Sequence, residues 1–199
     1  MSSDSLEVHL DNAKQALRAD PFQVTSAERM PTGPGLYAVW SKEEAWSEIG
    51  LGWRGPLTPL YVGKAEDSLR RREVDTHFAA GSSSASKTGS STVRRSFAAL
   101  LAPSLSFRAI PRNVKKPGHF SNYALRSDDD LRLTSWMHEH LLLSAWAKPA
   151  ELAAPLRSLE ALIIREWDPP INIQGAASSR AALKAARSVL SAQARSWTD

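Results

Sequence analysis

Cysteine is absent from the 199-residue sequence, and so are long apolar runs. Without Cys, neither a disulfide framework nor a thiolate metal site can form, and the composition is compatible with the reducing cytosol. No apolar run approaches the length of about 20 residues that spans a membrane. Residues 1–11 contain Asp4, Glu7 and Asp11 but lack the basic and apolar regions of a signal peptide. These absences predict a cytoplasmic protein without a membrane segment.

Positive charge is small overall but concentrated in one third of the chain. The net charge is +4, and 42% hydrophobic and 23% charged residues are globular values. Residues 1–60 contain 5 Lys/Arg and 8 Asp/Glu, whereas residues 61–126 contain 12 Lys/Arg and 4 Asp/Glu. Such a basic zone suits a polyanionic partner such as nucleic acid. The alternative is an ordinary solvated basic face.

The pattern of apolar residues predicts an α/β protein. Leu6, Leu10, Ala13 and Leu17 recur at helical spacing, which indicates a helix over residues 5–19. Short apolar runs predict three main strands, and turn and capping residues bound further helices. The predicted strands are 34–41, 59–64 and 141–147, with short strands at 105–110 and 120–126. The other predicted helices are 67–80, 93–101, 127–140, 155–167 and one from 178 or 179 onwards. Residues 42–58 form an insertion, and 81–92 a flexible Gly/Ser-rich loop.

Two short strings beside predicted strands carry the strongest functional signal: Gly35-Leu36-Tyr37 and Tyr61-Val62-Gly63. A segment with three consecutive arginines follows the second string, and Glu160 lies twelve residues before Asn172. In this combination the chain resembles the GIY-YIG nuclease family over residues 33–174. The resemblance implies a small three-stranded antiparallel sheet flanked by helices. Residues 1–32 would then be an N-terminal helical extension, and 175–199 a basic C-terminal helix packed on or beside the domain.

Glu160 is the candidate anchor for a divalent metal ion. It lies in a mostly apolar helical segment, Leu156 to Ile163, where a carboxylate is unexpected unless it has a function. One carboxylate suffices to hold hydrated Mg²⁺, because this ion keeps most of its waters. The resemblance implies Mg²⁺ or Mn²⁺ at this position. The alternative is a surface Glu on the polar face of the helix.

Tyr37 and Tyr61 are the candidate catalytic phenols. The ordinary pKa of a phenol is near 10, so either needs a nearby cation or metal-bound water to act as a base. The resemblance implies that Tyr37, or Tyr61, activates or orients the attacking water, and the choice between them is open. Lys64 is placed to lower a phenol pKa or to bind substrate. The alternative for each Tyr is a core residue with a satisfied hydroxyl.

The resemblance also implies an arginine that clamps the scissile phosphate. Counting ten residues from Tyr61 gives Arg71, whereas aligning on Leu69 gives Arg72, which we prefer. A guanidinium at this position binds phosphate oxygens bidentately. His77, on the same predicted helix, is a candidate for assisting proton transfer, although a lone His on a helix is often only structural.

The remaining candidates are contacts to the substrate backbone and structural residues at the site. Gly63 lets backbone approach the site, and Asn172, after two prolines, can bind a loop through side-chain-to-backbone hydrogen bonds. The candidate substrate contacts are Lys64, Arg70, Lys87, Arg94 and Arg95. The candidate structural residues are Gly35, Gly63 and Asn172.

Together these residues predict a metal-dependent endonuclease that hydrolyses phosphodiester bonds, with nucleic acid, and DNA in particular, as its partner. Two other classes of function stay open at this point. The chain could be a DNA-binding protein that kept the fold without catalysis, or a protein-interaction module that docks through the insertion at 42–58. DNA binding measured at two salt concentrations separates the last class from the first two.

Overall fold

A computed structural model describes residues 3–72 and 87–198 of the chain. Its main sheet has four antiparallel strands in the order β1-β6-β2-β3. The strands are β1 (Phe22–Gln23), β2 (Gly35–Ser41), β3 (Tyr61–Ala65) and β6 (Leu141–Ala147), and β4 (Ala109–Ile110) pairs with β5 (Ala124–Leu125) in a separate ribbon. The helices are α1 (Ser3–Arg18), α2 (Glu43–Glu48), α3 (Leu69–Arg71), α4 (Thr92–Leu105), α5 (Ser127–His140), α6 (Leu156–Trp167) and α7 (Ala181–Arg195). Short 3₁₀ turns occupy Ala27–Arg29, Thr88–Ser90 and Phe120–Asn122.

The central strand β2 is buried on both faces, so its alternate side chains belong to two separate cores. Tyr37 and Val39 point to one face of the sheet, and Leu36 and Ala38 point to the other, as the period of two in a strand requires. Tyr37 lies opposite Gly63 of β3 on one side and Ala145 of β6 on the other. The position of Tyr37 is therefore fixed by strand pairing on both sides of β2.

Helices cover both faces of the sheet. On one face, α1 and α6 pack through Leu17, Leu159 and Ile163 against the even-numbered side chains of β2. On the other face, α4 and α5 bring Phe97 and Met137 onto the core that contains Tyr37. Helix α7 packs along α4 and against the β4 strand and the Phe120–Asn122 turn. No helix within the two described ranges is both long and apolar enough to cross a membrane.

The three-stranded antiparallel arrangement predicted from the sequence is confirmed, with β2 between β3 and β6. The fourth strand, β1, is only two residues long and lies between the predicted helix 5–19 and the predicted strand 34–41, where the sequence predicted no strand. Helix α2 lies within the predicted insertion. Ser68 caps α3 by accepting the Arg71 backbone N–H at 3.1 Å, but the rest of the predicted helix to residue 80 lies outside the described residues. So does the first half of the predicted loop at 81–92, residues 81–86.

Other boundaries differ from the predictions in ways that tertiary contacts explain. Helix α4 continues past Pro103 to Leu105, four residues beyond its predicted end. The last helix begins at Ala181 rather than at Ser178 or Ser179. Ser178 instead donates its hydroxyl and its backbone N–H to the carboxylate of Asp168. These bonds hold the residues before α7 in a turn.

Candidate active site

A cleft beside β3 brings together residues from three distant parts of the chain. It consists of two adjoining hollows of about 470 and 620 Å³, and both are lined by Tyr61, Arg72, Glu160 and Gln174. We call this the Glu160 cleft. Tyr61 comes from β3, Arg72 follows α3, and Glu160 comes from α6. Of the predicted catalytic residues, the fold therefore gathers a phenol, a guanidinium and a carboxylate around one space.

Glu160 is half-buried on the edge of a helix whose neighbouring residues form the core. Leu159 and Ile163 are fully buried against the sheet, which leaves the Glu160 side chain at the rim of the cleft. Burial raises the pKa of Glu160 above its ordinary value, although the nearby Lys64 opposes the shift. Glu66 raises the pKa further and Arg72 lowers it. The carboxylate therefore lies in a partly desolvated place where an added cation would stabilise its charged form.

The donor set fits a single hydrated divalent cation rather than a protein-enclosed one. In the parts of the chain that the structure describes, no three His, Cys, Asp or Glu side chains come together as a ready-made metal site. Glu66 is the second carboxylate close to Glu160, but it forms an ion pair with Lys64. A hard cation such as Mg²⁺ accepts one carboxylate and keeps several waters, so Glu160 alone is an adequate anchor.

The two tyrosines differ in their access to the cleft. Their rings lie 6.0 Å apart between centroids, but Tyr61 lines the cleft whereas Tyr37 is only 1% exposed. The Tyr37 ring lies against Gly63, where an added Cβ would be 2.5 Å from the Tyr37 hydroxyl. Gly63 is therefore required for space. Gly35 has a similar role, since a Cβ there would be 2.1 Å from the carbonyl oxygen of Trp146.

Asn172 holds the strand that carries Tyr61. Its side-chain oxygen accepts the Val62 backbone N–H at 2.9 Å, and its side-chain N–H donates to the Val62 carbonyl at 2.8 Å. The Ile171 backbone N–H also donates to the Leu60 carbonyl at 3.0 Å. These bonds complete the outer edge of β3, where no further strand from the described part of the chain pairs. The side-chain-to-backbone bonds predicted for Asn172 are present.

The three consecutive arginines have different surroundings. Arg71 lines the smaller hollow only, and it forms an ion pair with Asp67 at 3.0 Å in which both side chains are largely exposed. Arg72 lines both hollows and is close enough to Glu160 to lower its pKa. Arg70 lies outside the cleft, and its backbone N–H donates to the Pro31 carbonyl. The placement favours Arg72 over Arg71 as the phosphate clamp.

The surroundings of Arg94 contradict its predicted role as a substrate contact. Its side chain is fully buried, forms an ion pair with Asp130 at 3.3 Å, and donates to the Thr134 hydroxyl at 2.8 Å. Burial lowers its pKa, and Asp130 opposes that shift. The predicted contact with substrate is therefore wrong for Arg94, because the guanidinium joins α4 to α5 inside the protein.

The other predicted substrate contacts are less enclosed. Arg95 lines the larger hollow, but it is only 6% exposed and donates to the Gly89 carbonyl at 2.9 Å. Lys64 lines the smaller hollow beside Glu66. Lys87 is half-buried, and its backbone N–H donates to Asp130. His77 lies outside the described residues.

Two residues that support the site, Asp168 and Arg180, were not predicted from the sequence. Arg180 is buried and donates to the Asp168 carboxylate at 2.5 Å and to the Asn172 carbonyl at 3.0 Å. Burial alone would raise the pKa of Asp168, but hydrogen bonds from Arg180 and Ser178 hold it well below its usual range. Only the Asp-Pro-Pro stop after α6 marks this region in the sequence, and it gives no sign of the partner.

A comparison with protein families agrees with this geometry. A family model described as the GIY-YIG catalytic domain matches residues 35–189, which is more than half of the chain. The matched range runs from the start of β2 into α7 and includes Tyr37, Tyr61, Glu160 and Asn172. Comparisons with curated proteins and with solved structures gave no match.

Proposed function

The chain belongs to the GIY-YIG nuclease family, and on this premise we propose that it is an endonuclease that hydrolyses phosphodiester bonds in DNA with one divalent cation. The observation that carries the proposal is the meeting of Tyr61, Arg72 and Glu160 around one open cleft. Phosphodiester hydrolysis needs a positioned water, charge stabilisation at the phosphoryl oxygens and a stabilised leaving oxygen. The cytoplasmic location expected from the cysteine-free sequence is part of the same proposal.

Glu160 would hold the cation, and Arg72 would hold the scissile phosphate. When bound, Mg²⁺ or Mn²⁺ supplies Lewis-acid stabilisation of the charge on the phosphate. The planar guanidinium of Arg72 donates to two phosphoryl oxygens and orients the phosphate in the cleft. Arg72 and Glu160 line the same two hollows, so both groups can contact one phosphate and its cation there.

Tyr61, as a phenolate, would orient the attacking water and receive its proton at Oη, and loss of that proton to solvent would restore the phenolate. This assignment follows from its position on the cleft wall, whereas Tyr37 is buried behind it. Lys64, which is paired with Glu66, lies on the same wall and would contact the substrate phosphate. Tyr37 and Gly63 then act as the packed support that keeps Tyr61 in place. His77 stays a candidate for proton transfer to the leaving oxygen.

The direct test incubates the purified full chain with supercoiled plasmid in Mg²⁺, in Mn²⁺ and in EDTA. We expect relaxed and linear products with either ion and none in EDTA. DNA binding is measured in parallel by fluorescence anisotropy. Binding without any cleavage in either metal would contradict the proposal and identify a DNA-binding protein that lacks catalysis.

A further inference from the structure

A second groove, separate from the Glu160 cleft, has a volume of about 1010 Å³. We call it the basic groove. Its walls are residues 110–119, the Phe120–Asn122 turn, β5 and the start of α5. Of the predicted catalytic residues that the structure describes, none lines it.

Positive charge dominates the basic groove. Among the described residues that line it, none is Asp or Glu, and the cationic members are Arg112, Lys115, Lys116 and Arg126. His119 adds a side chain that carries charge when protonated. The acidic residues that follow Arg126 in α5 do not compensate: Asp129 is bound to Arg132, and Asp128 is outside the lining. Four cations around one space, none of them in an ion pair with a carboxylate of the described residues, predict an anionic ligand.

The side chain of Asn113 holds the backbone of the two lysines in place. The side-chain oxygen of Asn113 accepts the backbone N–H groups of Lys115 and Lys116 at 3.1 and 3.2 Å. Both side chains are exposed, and neither forms an ion pair with any residue in the described ranges. The turn therefore presents two adjacent ammonium groups to solvent with little freedom in the backbone below them.

Arg112 connects this turn to the body of the protein. Its aliphatic stem lies so close to Gly89 that a Cβ there would be 2.9 Å from the Arg112 Cγ. Its guanidinium donates to the Ser90 hydroxyl at 3.3 Å. The turn Thr88–Ser90 thus supports one wall of the basic groove and precedes α4, whose Arg95 lines the Glu160 cleft.

The basic groove adjoins the Glu160 cleft. Asn122 lines both, and Arg95 and Arg187 line the larger hollow of the cleft together with Asn122 and Glu160. The two sites therefore meet at Asn122, with cationic side chains in each of them. A single phosphate would occupy only one of the two sites, whereas a polymer with a charge at each unit would occupy both.

We propose that the basic groove binds the phosphate backbone of the nucleic-acid substrate on one side of the scissile bond. The inference rests on the proposed function, because it takes the nuclease substrate as the occupant. The groove's share of the binding is electrostatic and independent of sequence, since phosphate contacts position the substrate without reading bases. Loss of the phosphate contacts in the basic groove should raise KM for DNA and leave kcat unchanged.

The test compares the double variant Lys115→Ala/Lys116→Ala with a matched control, Lys42→Ala/Lys148→Ala. The control removes the same charge from positions outside both grooves. Binding of a DNA duplex to the full chain is measured in EDTA at several salt concentrations. Each lost phosphate contact makes the negative slope of log K against log salt shallower by about 0.9. The slope should therefore become shallower by about 1.8 in the groove variant and should hardly change in the control. Steady-state cleavage in Mg²⁺ then gives KM and kcat.

An equal loss of slope in the two double variants would show an effect of net charge alone and would overturn the inference. An unchanged slope in the groove variant, in a protein that binds and cuts DNA, would overturn the inference and leave the proposed function standing. A smaller slope in the groove variant alone supports the inference even if no cleavage is seen, in which case only the proposed catalysis fails. A wild-type chain that does not bind DNA would overturn both.

Discussion

Arg180 links the end of α6 to the strand that carries Tyr61. Its buried guanidinium donates to the Asp168 carboxylate and to the carbonyl of Asn172, whose side chain in turn holds Val62. The substitution Arg180→Met keeps an apolar stem and removes the charge and every donor. It leaves Asp168 without its main partner and the Asn172 carbonyl without its hydrogen bond.

The expected loss in the free energy of unfolding is about 3 kcal/mol at pH 7. Breaking a buried ion pair by removing one partner costs about 3 to 5 kcal/mol. We take the lower end because the Asp168 side chain is 20% exposed and water can reach it. Urea denaturation followed by circular dichroism measures the difference. Lys184→Met, one turn further along α7 at an exposed position, removes the same charge and should change stability by less than about 0.5 kcal/mol.

The loss should also depend on pH in a defined direction. Arg180 and Ser178 hold the pKa of Asp168 below the ordinary aspartate value of 3.8. A depressed carboxyl pKa stabilises the fold above that value and loses its contribution as the pH falls through the folded-state pKa. The wild type should therefore lose stability below about pH 4 more steeply than Arg180→Met. A variant as stable as the wild type at pH 7, or a gap that stays constant to pH 2, would refute the reasoning.

Three further substitutions test the support and chemistry of the site. Gly63→Ala places a methyl group into the Tyr37 ring and should cost about 1 to 3 kcal/mol in thermal unfolding, whereas Gly52→Ala, with open space around it, should cost far less. Tyr61→Phe should lower kcat more than Tyr37→Phe does, and the reverse order in single-turnover cleavage would move the phenol assignment to Tyr37. Arg72→Ala should slow cleavage on the order of a hundredfold, as for one lost electrostatic donor, and a normal rate would exclude it as the phosphate clamp.

The sequence predicts the main strands well because burial leaves a local pattern. The apolar run Leu141–Ala147 forms a strand with these bounds, and Gly35–Ser41 lies within the predicted range. The strand Phe22–Gln23 leaves no pattern, because two residues show no period and are fixed only by pairing with β6. The six-residue helix Glu43–Glu48 is likewise too short for helical periodicity to show.

Some residues of the candidate site can likewise be predicted from the sequence, and others cannot. The tyrosine strings and Glu160 can be found because they are set in apolar strands and an apolar helix, and Asn172 because it follows two prolines twelve residues after Glu160. The burial of Arg94 cannot be read locally, since its partner Asp130 comes from another helix. The bond between Asp168 and Arg180 depends on the turn that precedes α7, which no sequence pattern marks.

The central claim is that Glu160 anchors the cation for DNA cleavage, and the most direct measurement is single-turnover cleavage by Glu160→Gln. The change removes the carboxylate charge and keeps the shape of the side chain. The matched control is Glu151→Gln, an exposed position outside the Glu160 cleft. We expect Glu160→Gln to bind DNA in EDTA with wild-type affinity and to show no cleavage in Mg²⁺ or Mn²⁺, while the control cuts normally. Cleavage by Glu160→Gln at the wild-type rate, in a protein that unfolds cooperatively, would contradict the account.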